Sequence, residues 1–268
     1  MELDTLYFEA LQGAVAASRR IMEIYSVGFE AEFKLDGSPI TLADTASTEI
    51  LHKYLDPTRI PVTGEESSNS DYSERIKWTR CWCIDPLDGT KEFVSKNGEF
   101  AVNIALIENG APIFGLIASP VKEEIIMGSK EFGVFIIDFD NLDKKEQWKK
   151  IEIPQKVNSP IVITCSRSHH SGPVLKFIQE LQKISPEIDY LKKGSSLKFF
   201  DLAKGTADAY PRFAPTMEWD IAAGQAILEA LGGKVYQPEN GEPLRYNKEN
   251  LLNPHFIAIT KALCELMP

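Results

Sequence analysis

The chain has 268 residues, of which 43% are hydrophobic and 25% are charged, and its formal net charge is −10. This length allows a large core in one or two closely packed domains, and the acidic balance argues against nucleic acid or an anionic membrane as the main partner. No apolar run approaches the ~20 residues that span a bilayer, and the acidic first four residues lack the basic start of a signal peptide, so we expect a cytoplasmic protein without stable membrane insertion.

The first 60 residues are predicted to form two helices. Apolar residues recur at helical spacing over 4–27, with Asp4 or Thr5 as the N-cap and Gly28 at the end. A second helix is predicted over 41–55, because Pro57 follows it and a proline disfavours the helical conformation of the residue before it.

The next segment has the pattern of an antiparallel sheet. Asn109-Gly110 predicts a hairpin turn between apolar runs. The strands expected around and after this turn cover residues 100–107, 113–118, 124–127 and 134–138.

A polar, charge-rich stretch over 139–150 is the best candidate for a boundary between an N-terminal part, 1–140, and a C-terminal part, 151–268. Beyond it, helices and strands alternate without strict βαβ repetition, which favours mixed sheets covered by helices rather than a Rossmann domain. The helices are predicted near 173–184, 196–204 and 219–231, and the strands near 161–165, 207–211, 234–236 and 256–260.

The four cysteines are predicted to be buried thiols rather than metal ligands. None forms a Cys-x-x-Cys pair, and Cys81 and Cys83 fall on one face of a predicted strand. The other two are Cys165 and Cys264. Free thiols agree with the reducing conditions of the cytoplasm.

Two carboxylates three residues apart follow an apolar run in Asp85-Pro86-Leu87-Asp88-Gly89-Thr90. A buried strand that ends in acids places charge where it is costly, and a bound metal ion is the usual remedy. In a tight turn both carboxylates and the Leu87 carbonyl can face one pocket, Gly89 permits a close backbone approach, and the Thr90 hydroxyl can orient a water.

Two further acidic motifs can complete a cation site: Gly64-Glu65-Glu66-Ser67, and Glu218-Trp219-Asp220 at the start of a predicted helix. Unit charges ~4 Å apart repel by about 4 kcal/mol at an effective dielectric of ~20, so converging carboxylates need protons or cations. Oxygen ligands favour Mg²⁺ over zinc. Taken singly, Asp-Pro-Leu-Asp-Gly is more often a solvated turn than a metal site, and each of the other two motifs is an ordinary helix start. The combination of the three carries the prediction.

Together these motifs resemble the inositol monophosphatase superfamily of Mg²⁺-dependent, lithium-sensitive phosphatases. The resemblance runs from Asp44 to Gly233 and implies an α/β (α+β) fold, a layered α-β-α-β-α sandwich. It implies two or three Mg²⁺ ions per active site, held by Glu65, Asp85, the Leu87 carbonyl, Asp88 and Asp220. It also implies Asp44, Glu65 and Thr90 as catalytic residues, with Thr90 paired to Asp44 to position and deprotonate the attacking water.

Within the superfamily the chain is most similar to the CysQ branch, the 3'(2'),5'-bisphosphate nucleotidases. The similarity lies in Lys91-Glu92-Phe93 after the Asp-Gly-Thr motif, in Gly194-Ser195-Ser196-Leu197-Lys198-Phe199, and in Ala207-Asp208-Ala209-Tyr210-Pro211-Arg212. It implies hydrolysis of 3'-phosphoadenosine 5'-phosphate (PAP) to AMP and phosphate, which clears a by-product of sulfate activation.

A bisphosphorylated substrate retains one phosphate that needs its own cation. Lys198 and Arg212 are candidates for it, with Ser195 donating a hydrogen bond. Ser166-Arg167-Ser168-His169 can face the base or ribose or form a surface loop, and Glu66 and Glu92 stay outside the ligand set. The full predicted substrate-binding set is Glu65, Leu87, Asp88, Gly89, Thr90, Ser195, Lys198, Arg212 and Asp220.

Two other functions stay open from the sequence. The first is an inositol monophosphatase or fructose-1,6-bisphosphatase with the same metal site, and the second is a non-catalytic metal or nucleotide sensor. The sequence also leaves open a monomer or a homodimer, peripheral attachment to the inner face of the cell membrane, and PAP against its sulfated relative as substrate.

Overall fold

The structure is a computed structural model that describes residues 5–29, 31–33, 37, 39–67, 69–165 and 172–267. Its chain forms alternating layers of helices and sheets, which confirms the predicted mixed α/β sandwich. Within the described part, no helix has both the length and the apolar character needed to cross a membrane.

The helices of the described residues cover most of the segments predicted as helical. They are α1 (Thr5–Val27), α2 (Leu42–Leu55), α3 (Tyr72–Arg75), α4 (Thr90–Val94), α5 (Gly172–Gln182), α6 (Lys198–Ala203), α7 (Glu218–Ala230) and α8 (Lys261–Cys264). The short helices α3, α4 and α8 were not predicted, because four or five residues carry too little periodicity to be recognised.

The strands in the described part of the chain form a two-stranded, a seven-stranded and a five-stranded sheet. The small sheet pairs β1 (Ala31–Phe33) with β2 (Pro39–Thr41). The seven-stranded sheet has the order β3 (Val62–Gly64), β4 (Arg80–Asp88), β5 (Ala101–Glu108), β6 (Ala111–Ser119), β7 (Glu124–Ser129), β8 (Gly133–Asp138) and β9 (Lys149–Lys150). The five-stranded sheet has the order β11 (Ile188–Lys192), β10 (Ile161–Cys165), β12 (Ala209–Arg212), β14 (Phe256–Ile259) and β13 (Lys234–Tyr236).

Among the residues that the structure describes, three apolar clusters hold the layers together. One packs α1 and α2 against one face of the seven-stranded sheet. A second fills the space between the opposite face of that sheet, the helices α6 and α7, and the five-stranded sheet. The third packs α5 and α8 on the outer face of the five-stranded sheet.

The predicted hairpin joins β5 to β6. Asn109 and Gly110 both have positive φ, 50° and 76°, as a two-residue turn of the mirror-image type requires. The strands pair antiparallel from Val102 opposite Ala118 to Glu108 opposite Ala111. The antiparallel arrangement predicted for this region is therefore confirmed.

The structure corrects one local expectation, the tight turn at Asp85-Pro86-Leu87-Asp88. These residues continue β4 as an irregular strand, in which the pairing with β5 shifts between Asp85 and Asp88. Proline has no N–H for the sheet ladder, and a bulge is one of the few strand positions that tolerates it. The bulge redirects the carboxylates at the end of β4, as the expected turn would have done.

The predicted boundary over 139–150 lies beside the end of the first large sheet. Its last residues form β9, which pairs with β8, and the second large sheet begins at β10. Helix α7 from the second part packs on β4 to β7 of the first. The division into 1–140 and 151–268 stays a prediction.

All four cysteines are free thiols, and three of them are buried. Cys81 and Cys83 face the apolar cluster between the two large sheets, as their spacing in a strand predicts. Burial raises the pKa of Cys81 to about 12, so this thiol is protonated and unreactive at neutral pH.

Candidate active site

The centre of the site is the irregular end of β4, which local hydrogen bonds fix in place. The Leu87 N–H donates to Asp85 Oδ1 (3.0 Å). The Ser47 hydroxyl, on α2, donates to the Pro86 carbonyl (2.7 Å). The bulge is thereby attached to the helix layer, and Asp85 is buried at its start.

Asp220 reaches the same place from the other side of the sheet. It is the third residue of α7, and its Oδ2 accepts the Met217 N–H (2.8 Å), which caps the helix. Carboxylate oxygens of Asp85, Asp88 and Asp220 lie within 4.8 Å of one another. Residues far apart in the sequence thus form one acidic cluster.

The pKa values of Asp85 and Asp220 in the acidic cluster are raised. Burial raises the pKa of Asp85 well above its ordinary value, and the charges of Glu65, Asp88 and Asp220 raise it further. Burial, followed by the charge of Asp88, raises the pKa of Asp220 to about 8. Bound protons or a cation must therefore compensate for the repulsion between these carboxylates.

Glu65 enters the site through the parallel pairing of β3 with β4. Gly64 lies opposite Ile84, and Glu65 follows it, with its N–H donating to the Ile84 carbonyl (3.4 Å). A Cβ on Gly64 would lie 2.4 Å from that carbonyl oxygen, so only glycine permits this approach. The short strand therefore brings Glu65 beside the end of β4, where its charge acts on Asp85.

Asp44 and Thr90 form the hydrogen-bonded pair that the resemblance implies. The Thr90 hydroxyl lies 2.9 Å from Asp44 Oδ1 and 3.3 Å from the Leu87 carbonyl. Asp44 Oδ2 accepts the N–H and the hydroxyl of Thr41, each at 2.7 Å. Asp44 is thus held by the N-terminal cap of α2, with its other oxygen directed to Thr90.

A cavity of about 280 Å³ opens beside the acidic cluster. Its lining includes Asp88, Gly89 and Asp220 together with the predicted substrate residues Ser195, Lys198 and Arg212. Gly89 has φ 93°, a left-handed conformation that a side chain would strain. Two of the predicted metal ligands, Asp88 and Asp220, therefore share one opening with part of the predicted substrate-binding set, and Glu65, Asp85, Leu87 and Thr90 are not in its lining. The roles of all these residues stay predictions.

Lys198 is a buried cation at this cavity. Its ammonium donates to the Ser195 carbonyl (2.6 Å) and lies 5.0 Å from the centre of the Tyr210 ring. Burial lowers the pKa of Lys198 to about 8, and the charge of Asp88 opposes that shift. Arg212 donates to the Pro215 carbonyl (3.3 Å).

Two residues and one segment that the sequence left open have different outcomes. Glu92 lines the cavity, and burial raises its pKa. Glu66 is half-buried, and its charge acts on Asp44. The segment Ser166-Arg167-Ser168-His169 lies outside the described residues.

Sequence reasoning missed three residues that support the site: Ser47, Asn103 and Ser196. Ser196 belongs to the Gly194–Phe199 motif but was not predicted to be a site residue. Its backbone N–H donates to Asp88 Oδ2 (2.6 Å). Asn103 is fully buried and donates to the same oxygen (3.2 Å). One signal was available for Asn103, because an amide interrupts the apolar run of β5.

Nearly the whole chain matches a known protein family. A sequence model of the Inositol monophosphatase family matches residues 2–267. The chain belongs to this family. Its membership confirms the resemblance found in the acidic motifs and agrees with the layered fold.

Within the inositol monophosphatase family, the chain is similar to proteins named 3'(2'),5'-bisphosphate nucleotidase CysQ. The Escherichia coli K12 protein is 38% identical over 254 residues, covering 92% of this chain and 97% of the relative. The Buchnera aphidicola protein is 39% identical over 259 residues, covering 92% of this chain and 91% of the relative. The crystal structure of CysQ from Bacteroides thetaiotaomicron superimposes with a TM-score of 0.82 at 39% identity, covering 94% of this chain and 96% of that one.

Proposed function

We propose that the protein is a Mg²⁺-dependent phosphomonoesterase that hydrolyses PAP to AMP and phosphate. The observation that carries the choice of substrate is the 38–39% identity, over nearly the whole chain, to relatives named 3'(2'),5'-bisphosphate nucleotidase. The acidic cluster beside a cavity that contains a buried lysine supports the same reaction.

The donor set suits a hard divalent cation. Glu65, Asp85, Asp88 and Asp220, with the Leu87 carbonyl, offer only oxygen. Burial first, and then the charges of neighbouring carboxylates, raise the pKa of Asp85 and of Asp220, and a bound cation would offset both effects. When bound there, Mg²⁺ would neutralise the substrate phosphate and increase the acidity of a water. Mg²⁺ as the ion, and two or three ions per site, belong to the proposal.

Thr90 and Asp44 would orient the attacking water and receive its proton. A hydroxyl has one proton to donate, and the shorter of the two Thr90 contacts directs it to Asp44 Oδ1. The Thr90 lone pairs then remain to accept a hydrogen bond from water. Burial raises the pKa of Asp44, which makes its carboxylate a better proton acceptor through the threonine.

Lys198 and Arg212 would bind the phosphate that is not cleaved, with Ser195 beside them. Lys198 is held by the Ser195 carbonyl at the cavity wall, so its charge is fixed before the substrate arrives. A pKa of about 8 keeps this ammonium mostly protonated at pH 7. A second phosphate would give this buried ammonium an anionic ligand in the cavity, which a monophosphate would not, and this favours a bisphosphorylated substrate.

The test is phosphate release from PAP, inositol 1-phosphate and fructose 1,6-bisphosphate, assayed side by side in Mg²⁺. We expect kcat/KM to be highest for PAP, with Li⁺ inhibiting the reaction. A preference for the inositol or sugar ester would overturn the nucleotide assignment, and binding of PAP without turnover would indicate a sensor. The sulfated relative of PAP belongs in the same panel, because the sequence does not separate the two.

A further inference from the structure

Asn103 stands out as a polar side chain in the most buried part of the sheet. It is fully buried on β5, whose residues from Ala101 to Ile107 are otherwise apolar. An amide in such a place costs free energy unless its hydrogen bonds are made. The hydrogen-bond partners of Asn103 therefore indicate which part of the structure this side chain stabilises.

Each polar atom of Asn103 has a partner at the acidic cluster. The amide nitrogen donates to Asp88 Oδ2 (3.2 Å) and to the Trp219 carbonyl in the first turn of α7 (3.4 Å). The amide oxygen accepts the Ser196 hydroxyl (2.6 Å). One side chain thus joins the end of β4, the start of α7 and the loop before α6.

Ser196 closes the network. Its backbone N–H donates to Asp88 Oδ2 (2.6 Å), the oxygen that also accepts from Asn103. Among the described residues, both hydrogen bonds that the Asp88 side chain accepts end on Oδ2. Two donors on one oxygen fix the rotation of the carboxylate and leave the lone pairs of Oδ1 for a cation.

We propose that Asn103 and Ser196 are positioning residues, which hold Asp88 and the first turn of α7 in the arrangement that a divalent cation requires. The inference rests on the metal-binding part of the proposed function and not on the identity of the phosphate ester. The site thus depends on the side-chain amide of Asn103, which is fully buried, and on Ser196, which lines the cavity and directs its hydroxyl to that amide.

The test measures Mn²⁺ affinity by electron paramagnetic resonance, with no substrate present. Asn103→Leu keeps the size of the side chain and removes its hydrogen bonds, and we expect it to weaken Mn²⁺ binding by about 10- to 100-fold, as loss of a group that orients a metal ligand does. Ser196→Ala keeps the N–H to Asp88, so we expect a smaller loss in the same direction. Ser196→Thr keeps the hydroxyl, so its Mn²⁺ affinity should stay near that of the wild type.

Asn158→Ala is the matched control. Asn158 uses its side-chain amide on the Gly205 carbonyl and on Asp208, away from the acidic cluster. We expect this variant to unfold at a lower temperature while its Mn²⁺ affinity stays that of the wild type. A further readout is kcat at saturating Mg²⁺, which should return toward the wild-type value in Ser196→Ala.

Wild-type Mn²⁺ affinity in both Asn103→Leu and Ser196→Ala would overturn the inference, as would a wild-type protein that binds no Mn²⁺. If Asn103→Leu does not fold, the comparison of Ser196→Ala with Ser196→Thr alone decides whether the inference holds. If the variants lose Mn²⁺ as expected but the wild type does not hydrolyse PAP, the nucleotide assignment fails and the positioning role stands.

Discussion

At the scale of single residues, the Thr90–Asp44 pair is the part of the site that would do proton chemistry. Asp44 is held from one side by the N-cap of α2 and touches Thr90 from the other. Threonine has no charge of its own, so its contribution depends on this carboxylate. Neither residue belongs to the cluster of Asp85, Asp88 and Asp220, so a substitution in the pair removes none of those carboxylates.

We predict that Thr90→Ala lowers kcat by about 100-fold or more, the size expected of positioned acid–base groups. Thr90→Ser keeps the hydroxyl and should stay within about tenfold of the wild type. Steady-state kinetics on PAP measure both. Thr48→Ala is the control, because the Thr48 hydroxyl donates to the backbone carbonyl of Asp44 and not to its carboxylate. Near-normal kcat in Thr90→Ala would contradict the role of Thr90.

A second residue-scale prediction separates the two phosphates of the substrate. Lys198→Met removes a buried charge and keeps the volume, so the KM for PAP should rise about 10- to 100-fold, as loss of a charge-assisted hydrogen bond implies. The KM for 3'-AMP, which lacks the second phosphate, should change little. Lys204→Met, which removes a lysine that pairs with Glu124, serves as the control. If Lys198→Met raised the KM for both substrates equally, the assignment of Lys198 to the uncleaved phosphate would be wrong.

At the scale of elements, the position of α7 decides whether Asp220 reaches the β4 end. The helix packs so closely on β6 that a Cβ on Gly115 would lie 2.1 Å from the Ala223 carbonyl oxygen. Since the obstacle is backbone, the helix or the strand would have to move. The glycine in the strand is therefore part of the architecture of the site.

We predict that Gly115→Ala destabilises the protein by about 1–3 kcal/mol, the usual cost of overpacking, and weakens Mn²⁺ binding by displacing Asp220. Denaturant unfolding and Mn²⁺ titration measure the two effects. Gly172→Ala is the control, since nothing lies within 4 Å of a Cβ there. If Gly115→Ala is destabilised but binds Mn²⁺ as tightly as the wild type, the claim that the position of α7 controls metal binding is wrong.

At the scale of the whole molecule, the acidic cluster links folding to pH. Burial and mutual repulsion raise the pKa of Asp85 and of Asp220, the latter to about 8. Without metal the folded protein therefore binds protons more tightly than the unfolded chain, where an aspartate titrates near ~3.9. The stability that these groups contribute is present at low pH and is lost as pH rises toward about 8.

We predict that Asp220→Asn, in a chelator at pH 8, has a larger free energy of unfolding than the wild type, because it removes one of the repelling charges. At pH 5 the two should differ less, and with Mg²⁺ the wild type should gain more than the variant. Urea unfolding at both pH values, with and without Mg²⁺, measures this. Equal pH slopes for the two proteins would contradict the linkage.

The sequence was sufficient for the long helices, the hairpin at Asn109-Gly110 and the acidic motifs, because each depends on local spacing. It was insufficient for the three-residue strand β3, whose pairing with β4 brings in Glu65 and leaves no periodic signal. It was also insufficient for the bulge at Pro86 and for the hydrogen bonds of Asn103. These depend on partners far along the chain, which only the assembled layers bring together.

The most direct measurement of the central claim is anomalous diffraction from a crystal soaked in Mn²⁺, at a concentration that supports PAP hydrolysis in solution. We predict an anomalous peak bounded by the carboxylates of Asp85, Asp88 and Asp220, which lie within 4.8 Å of one another. The same soak of Asp88→Asn should show the peak weakened or lost. No peak at this cluster in the wild type would contradict the account.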